Sequence, residues 1–113
     1  RYDSTGALDT TFNTTGIVTT EINYSSSIYA LALQQDGNIL AGGYDFGARF
    51  TTFALARYLP SGLLDSSFAN GGIALTPIGS SAQINSLAFQ SDGKIIAAGF
   101  SDDDAIIARY LAA

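Results

Sequence analysis

One pattern occurs twice in this chain, 56 residues apart, and that spacing constrains the fold more than any single motif. "RYDSTGALDTTF" begins at Arg1 and "RYLPSGLLDSSF" at Arg57 (57 − 1 = 56), with Arg, Tyr, Gly, Leu, Asp and Phe recurring in register. Leu31, Ala32, Gln34, Asp36, Gly37, Ile39, Ala41 and Gly43 return at the same distance as Leu87, Ala88, Gln90, Asp92, Gly93, Ile95, Ala97 and Gly99. A third Ala-Arg-Tyr, ending at Tyr110, closes the second unit 109 − 57 = 52 residues on, so that unit is four residues shorter. The loss falls between Tyr44/Phe100 and the last apolar run. A fixed period of this length marks tandem supersecondary units, none of which buries its apolar surface alone. The units are assigned to residues 1–56 and 57–113.

Within each unit the pattern is that of strands. Four short runs rich in β-branched, aromatic and small apolar residues are separated by turn residues: 16–22, 28–34, 38–44 and 52–59, then 72–78, 84–90, 94–100 and 105–111. Asp36-Gly37 and Asp92-Gly93 stand between the second and third runs, where Asp-Gly predicts a type I′ hairpin turn with positive φ at both central residues. Residues 60–71, rich in Ser, Gly and Asn, predict a loop crossing between sheets. In "YALALQ" and "FALAR" bulky residues (Tyr29, Leu31, Leu33; Phe53, Leu55) alternate with Ala, so neither strand face is polar. Such a sheet is buried on both sides and fills against a neighbour, as propeller blades do. The first run, with Thr19, Thr20, Thr76 and Pro77, is the most polar; it suits an inner strand lining a wet channel, an edge position that tolerates Pro.

The combination R-Y-x-x-x-G-x-L-D-x-x-F, a Gly-Ile strand, "ALALQ-x-DG-x-I" and "FALARY" resembles the bacterial delta-60 repeat, over the whole chain as two units. That resemblance implies an all-β fold of two four-stranded antiparallel β-propeller blades, about 56 residues each. It also implies a tandem module of bacterial surface or secreted proteins, with no catalytic residues defined. Two blades are too few to close a ring, so the expectation is part of a longer propeller or a homo-oligomer that assembles into one. Two bare apolar faces are not tolerated by a soluble monomer.

Composition removes most chemistry. The chain has no Cys and no His, which excludes thiol nucleophiles, disulfides, the Ser-His-Asp arrangement and the common zinc sites. Its net charge is −5, and its five cations (Arg1, Arg49, Arg57, Lys94, Arg109) are scattered, so nucleic acid and membrane insertion are not expected. The absence of Met and the start at Arg1 suit an excerpt or a processed segment.

Candidate sites are few. Gly37-x-x-x-x-Gly42 is followed by Gly43 and Tyr44, not by the Lys and Ser/Thr that phosphate and magnesium require. Gln34-x-Asp36-x-Asn38-x-Leu40 resembles the start of the Q-x-D-x-N-x-V-x-Y sugar motif of monocot-type lectins. The Tyr position is Gly42, however, and the second unit has Lys94 for Asn38, so a hairpin turn is the better account. Arg1/Asp9, Arg57/Asp65 and Arg109 recur unit by unit, which predicts scaffold contacts at the blade junctions, because scaffold contacts repeat while a site is usually singular. Asp102-Asp103-Asp104 lack the alternating spacing of a calcium loop and predict a solvated hairpin tip.

The best ligand-binding candidate lies where the units differ. Tyr44, Asp45, Phe46, Arg49 and Phe50 put aromatics and opposite charges in a hairpin loop that the second unit replaces with "SDDD". The expected function is a non-catalytic scaffold or protein-interaction module, extracellular or at the cell surface, with itself or further repeats as partner. A carbohydrate-binding propeller using the aromatic loop is the alternative. A carboxylate-based enzyme comes third, since Glu21, the acid in the first run, is matched by Pro77. No cofactor or metal is expected.

Overall fold

The computed structural model describes residues 1–111; residues 112–113, with which the second unit ends, lie outside it. Seven strands follow in order: β1 (Ser25–Leu33), β2 (Ile39–Phe46), β3 (Thr51–Tyr58), β4 (Ile73–Thr76), β5 (Ala82–Phe89), β6 (Ile95–Ser101) and β7 (Asp104–Tyr110). They form two antiparallel sheets, ordered β1-β2-β3-β4 and β5-β6-β7. The protein is therefore all-β, with blade-like sheets.

The Asp-Gly hairpins form where the sequence places them, but with a different turn. The Gly37 N–H donates to the Gln34 carbonyl at 3.0 Å and the Gln34 N–H donates to the Asn38 carbonyl at 2.8 Å. Gly37 has φ +89° while Asp36 does not enter the left-handed region. This is a type I turn followed by a glycine bulge, not the type I′ turn expected from the sequence. The Asp36 carboxylate accepts the Asn38 N–H at 3.0 Å, which favours the ordinary helical conformation at Asp36 itself. Asp92, Gly93 (φ +85°) and Lys94 repeat the arrangement, the Asp92 carboxylate accepting the Lys94 N–H at 3.1 Å.

The sheets are out of phase with the sequence units. The first run of the second unit is β4, and it pairs with β3 of the first unit, from Phe53↔Thr76 to Ala56↔Ile73. A sheet is thus built from three runs of one unit and the opening run of the next, and the 56/57 boundary falls inside β3. The polar run is an edge strand as expected, and it lies at the edge opposite β1 rather than beside it. Residues 17–22, the equivalent run of the first unit, form no strand, although their burial alternates as a strand's does.

Packing follows from this register. On one face of the first sheet, Leu40, Phe53 and Leu55 are fully buried against Ala82, Ile84, Ile95 and Ala97 of the second. β5 lies across β1, β2 and β3. A Cβ at Gly42 would stand 3.1 Å from both Ile84 and Leu87, so glycine sets how closely the sheets approach. Gly43 answers a different need. The β1–β2 register shifts between Ile28 and Ala30, and the bulge brings the Ser27 carbonyl to where a Gly43 Cβ would be. Each face mixes bulky and small positions: Ala30 and Ala32 of β1 accompany Leu55 and Phe53 of β3, while Leu31 and Leu33 turn to the other face.

Candidate functional site

The repeated Arg and Asp occupy equivalent loops. Arg57 Nε donates to Asp65 Oδ2 at 2.8 Å, and both side chains are about nine-tenths buried. The guanidinium lies 4.6 Å from the Phe68 ring centroid. The other Asp65 oxygen accepts the Ser67 hydroxyl at 2.6 Å and the Ser67 N–H at 3.1 Å. The Ser67 hydroxyl and N–H, together with Arg57, hold the Asp65 carboxyl below the usual carboxylate range against the opposing effect of burial. The first unit repeats this with Arg1 on Asp9 at 2.7 Å, Thr11 in the place of Ser67, and Arg1 over Phe12 at 4.9 Å. The loops also touch: Asn13 N–H donates to the Ser61 carbonyl at 2.8 Å, and Arg1 to the Pro60 carbonyl at 3.3 Å. Arg109, the third member, stands exposed on β7. Both Arg–Asp pairs are bound up in the hydrogen bonds of their loops.

The aromatic segment divides into two environments. Tyr44, Asp45 and Phe46 all belong to β2, not to the loop. Tyr44 is half-buried, its ring centroid 6.0 Å from that of Tyr29. Asp45 is 1% exposed and accepts a hydrogen bond from Asn23 Nδ2; among the described residues its second oxygen has no partner, nor does the hydroxyl of Thr52, its neighbour in the β2–β3 register. Phe46 (37% exposed) ends β2, Phe50 (46%) closes the true loop, residues 47–50, and Arg49 lies 5.3 Å over the Phe50 ring. The five candidates therefore do not converge on one pocket; three of them form an exposed aromatic and cationic tip.

At the same end of the molecule, Asp102 ties down the link between the sheets. Its carboxylate accepts the Ser80 hydroxyl at 2.8 Å, the Ser81 N–H at 3.0 Å and the Ser80 N–H at 3.2 Å. The Ser80 hydroxyl and the two N–H groups hold the Asp102 carboxyl below its ordinary range. Thr51 completes the junction, its hydroxyl accepting the Ala82 N–H at 2.8 Å. No pattern in the chain marks this role, because Ser80-Ser81 and Asp102 are far apart and the first unit has Tyr24 and Phe46 in the places of Ser80 and Asp102. Among the described residues no cluster of acidic side chains is placed to hold a metal ion. At the opposite end the two Asp-Gly turns line an open hollow of about 500 Å³, with Gln34, Gln35, Asp36 and Gln90 on its walls.

Comparison with known families matches this geometry. A β-propeller domain of unknown function, DUF5122, matches residues 34–68, and the WD domain, G-beta repeat model matches residues 74–107. The second match opens in β4 and ends within β7, so it begins with the edge strand of one sheet and continues into the next, the phase found here. No characterised protein and no solved structure matches the chain at a significant level. The all-β fold and these two partial matches support a propeller-type repeat architecture.

Proposed function

We propose that this chain is a non-catalytic propeller module that serves as a scaffold or protein-interaction unit, of the delta-60 type and displayed on a bacterial surface or secreted. One observation carries the proposal. The recurring Arg1–Asp9 and Arg57–Asp65 pairs are engaged in internal contacts, whereas the segment unique to the first unit presents Phe46, Arg49 and Phe50 to solvent. Exposed aromatics beside an arginine are the composition of protein hot spots. The same tip supports a second reading, stacking of a sugar ring on Phe46 or Phe50.

A photo-crosslinker at Ala48, which is exposed, tests the proposal in the producing cell. Protein adducts that disappear in the Phe46→Ser/Phe50→Ser variant are expected. Glycan-array signals lost on the same substitutions would favour the sugar reading instead, and silence in both assays would refute a binding role for this tip. Protection of intact cells' signal from added protease would refute the surface assignment.

A further inference from the structure

We infer that a second copy of this chain docks head to tail on the first, its residues 17–20 adding to β7 as a fourth strand and its first sheet covering the open face of the second sheet. The inference stands on the fold alone and does not depend on the proposed binding tip.

The molecule carries both halves of the joint. β3 has β4 on its outer edge; β7, its equivalent, has no strand there among the described residues. Residues 17–22 are the equivalent of β4 and pair with no strand among the described residues, yet they already hold β4's place relative to the following sheet. Val18 packs on Ala41, Ala56 and Tyr58, and the Thr20 hydroxyl bonds to the Tyr58 hydroxyl, as Thr76 bonds to Tyr110 at 2.7 Å. A strand that is extended, alternating and seated without a ladder partner is half of a sheet edge.

The faces match in the same way. Leu55 is fully buried between the sheets, and its repeat equivalent Ile107 is 77% exposed. On the opposite face of the first sheet, Ile28, Leu31 and Leu33 are 61%, 68% and 70% exposed. Beside them lie two apolar hollows of about 310 and 430 Å³, both bordered by Val18 and Tyr58. The accessible surface is 6719 Å². A compact monomer of 11.8 kDa should expose only about 5,900 Å² by the usual scaling. The excess, roughly 800 Å², is about what one partner contributes to a stable interface.

The intrachain register transfers directly. Subtracting 56 from the β4 residues and adding 52 to those of β3 turns Leu55↔Ala74 into Ile107↔Val18, with Ile106↔Thr19 and Ala108↔Ile17 on either side. Arg1-Tyr2 and Arg109-Tyr110 hold the same place in the repeat, so one pair must give way at the joint. Tyr2 is 70% exposed and the Arg1 side chain 41% exposed, so the leading pair swings out and Arg109 takes over the partner's Asp9 as Arg57 takes Asp65.

Light scattering and disulfide trapping test the joint. At about 100 µM, enough to fill any joint with a micromolar Kd, the protein should elute at a multiple of 11.8 kDa. Ile107→Asp, at a site exposed in the single chain, should weaken association by roughly a hundredfold or more with an unchanged circular dichroism spectrum. Arg109→Ala should weaken it about tenfold while Arg1→Ala does not. The chain has no native Cys, so Val18→Cys/Ile107→Cys should form intermolecular disulfides, whereas Thr19→Cys/Ile107→Cys, whose side chains face opposite sides of the sheet, should not. A species of 11.8 kDa at that concentration would overturn the inference. So would association that survives Ile107→Asp, or trapping through position 19 in place of 18.

Discussion

Leu55 and Ile107 occupy the same position of the repeat but opposite environments, so truncating each to Ala separates burial from sequence. Leu55 has no exposed surface and touches the buried cluster between the sheets. Its truncation should cost about 3 kcal/mol, the transfer of the lost carbons plus the cavity they leave. Ile107 is 77% exposed, so only about a quarter of its side-chain transfer energy is realised in the single chain. At about 0.8 kcal/mol per methylene, its truncation should cost only about 0.5 kcal/mol. At this chain length 1 kcal/mol moves Tm by about 4 °C, which gives losses of about 12 and 2 °C. Urea melts followed by circular dichroism, run on dilute protein, measure both. At high concentration the Ile107→Ala loss should grow, because the residue is then covered, while the Leu55→Ala loss stays fixed. Equal losses for the two variants in dilute protein, or a Leu55→Ala cost under about 1 kcal/mol, would refute the assignment of these faces.

Other perturbations follow from single contacts. Gly43→Ala drives a methyl into the Ser27 carbonyl and should unseat the β1 bulge at a cost above about 2 kcal/mol, whereas Gly47→Ala meets open space and should stay within about 0.5 kcal/mol; parallel melts compare them. The carboxyls of Asp3, Asp9, Asp65, Asp92 and Asp102 are all lowered in the folded chain, chiefly by hydroxyl or ammonium hydrogen bonds. Their stabilisation is complete above the unfolded carboxylate pKa and is lost as pH falls through the lower folded values, so the urea midpoint should fall between about pH 5 and pH 2. Asp102→Asn should flatten that slope and loosen the Ser80-Ser81 link, read by faster amide exchange at Ser81 and Ala82. Tyr110→Phe removes the hydroxyl pair with Thr76 that joins the two sheets and should cost about 1 kcal/mol, with Thr76→Val adding little to it in a double-mutant cycle.

What the sequence made legible was local or repeated. Asp36-Gly37 marks a turn because the left-handed glycine is needed whichever turn forms, and the choice of a type I turn with a bulge depends on the Asp36 carboxylate reaching the Asn38 N–H. That Arg57 goes with Asp65 was legible because Arg1 and Asp9 repeat the spacing, and both pairs form. Strand phase was not legible. Residues 16–22 and 28–34 are neighbours in the chain, and neighbouring runs usually pair, yet the partner of the first run is the last run of the preceding unit. Alternation of apolar residues fixes which side chains share a face but says nothing about which edge a strand joins. Asp45 and Phe46 were misplaced beyond the end of the third run: their residue types suit a loop, but eight consecutive register pairs between β2 and β3 carry the ladder through them to Phe46↔Thr51.

That phase shift has a mechanical consequence. If each unit's four runs made one sheet, neighbouring blades would be joined only by loops and by side-chain packing, and could separate by breaking apolar contacts alone. With β4 donated to the preceding sheet, the first sheet contains backbone from both units, and pulling the units apart must strip the Phe53–Ala56 ladder as well. Asp102 and Thr51 fasten the return path at Ser80–Ala82, so the donated strand is held at both ends. The exposed edge of β7 and the seated but unpaired residues 17–22 are the same device left open, which is why strand addition, rather than face contact alone, is the step expected to fix the register of any further blade.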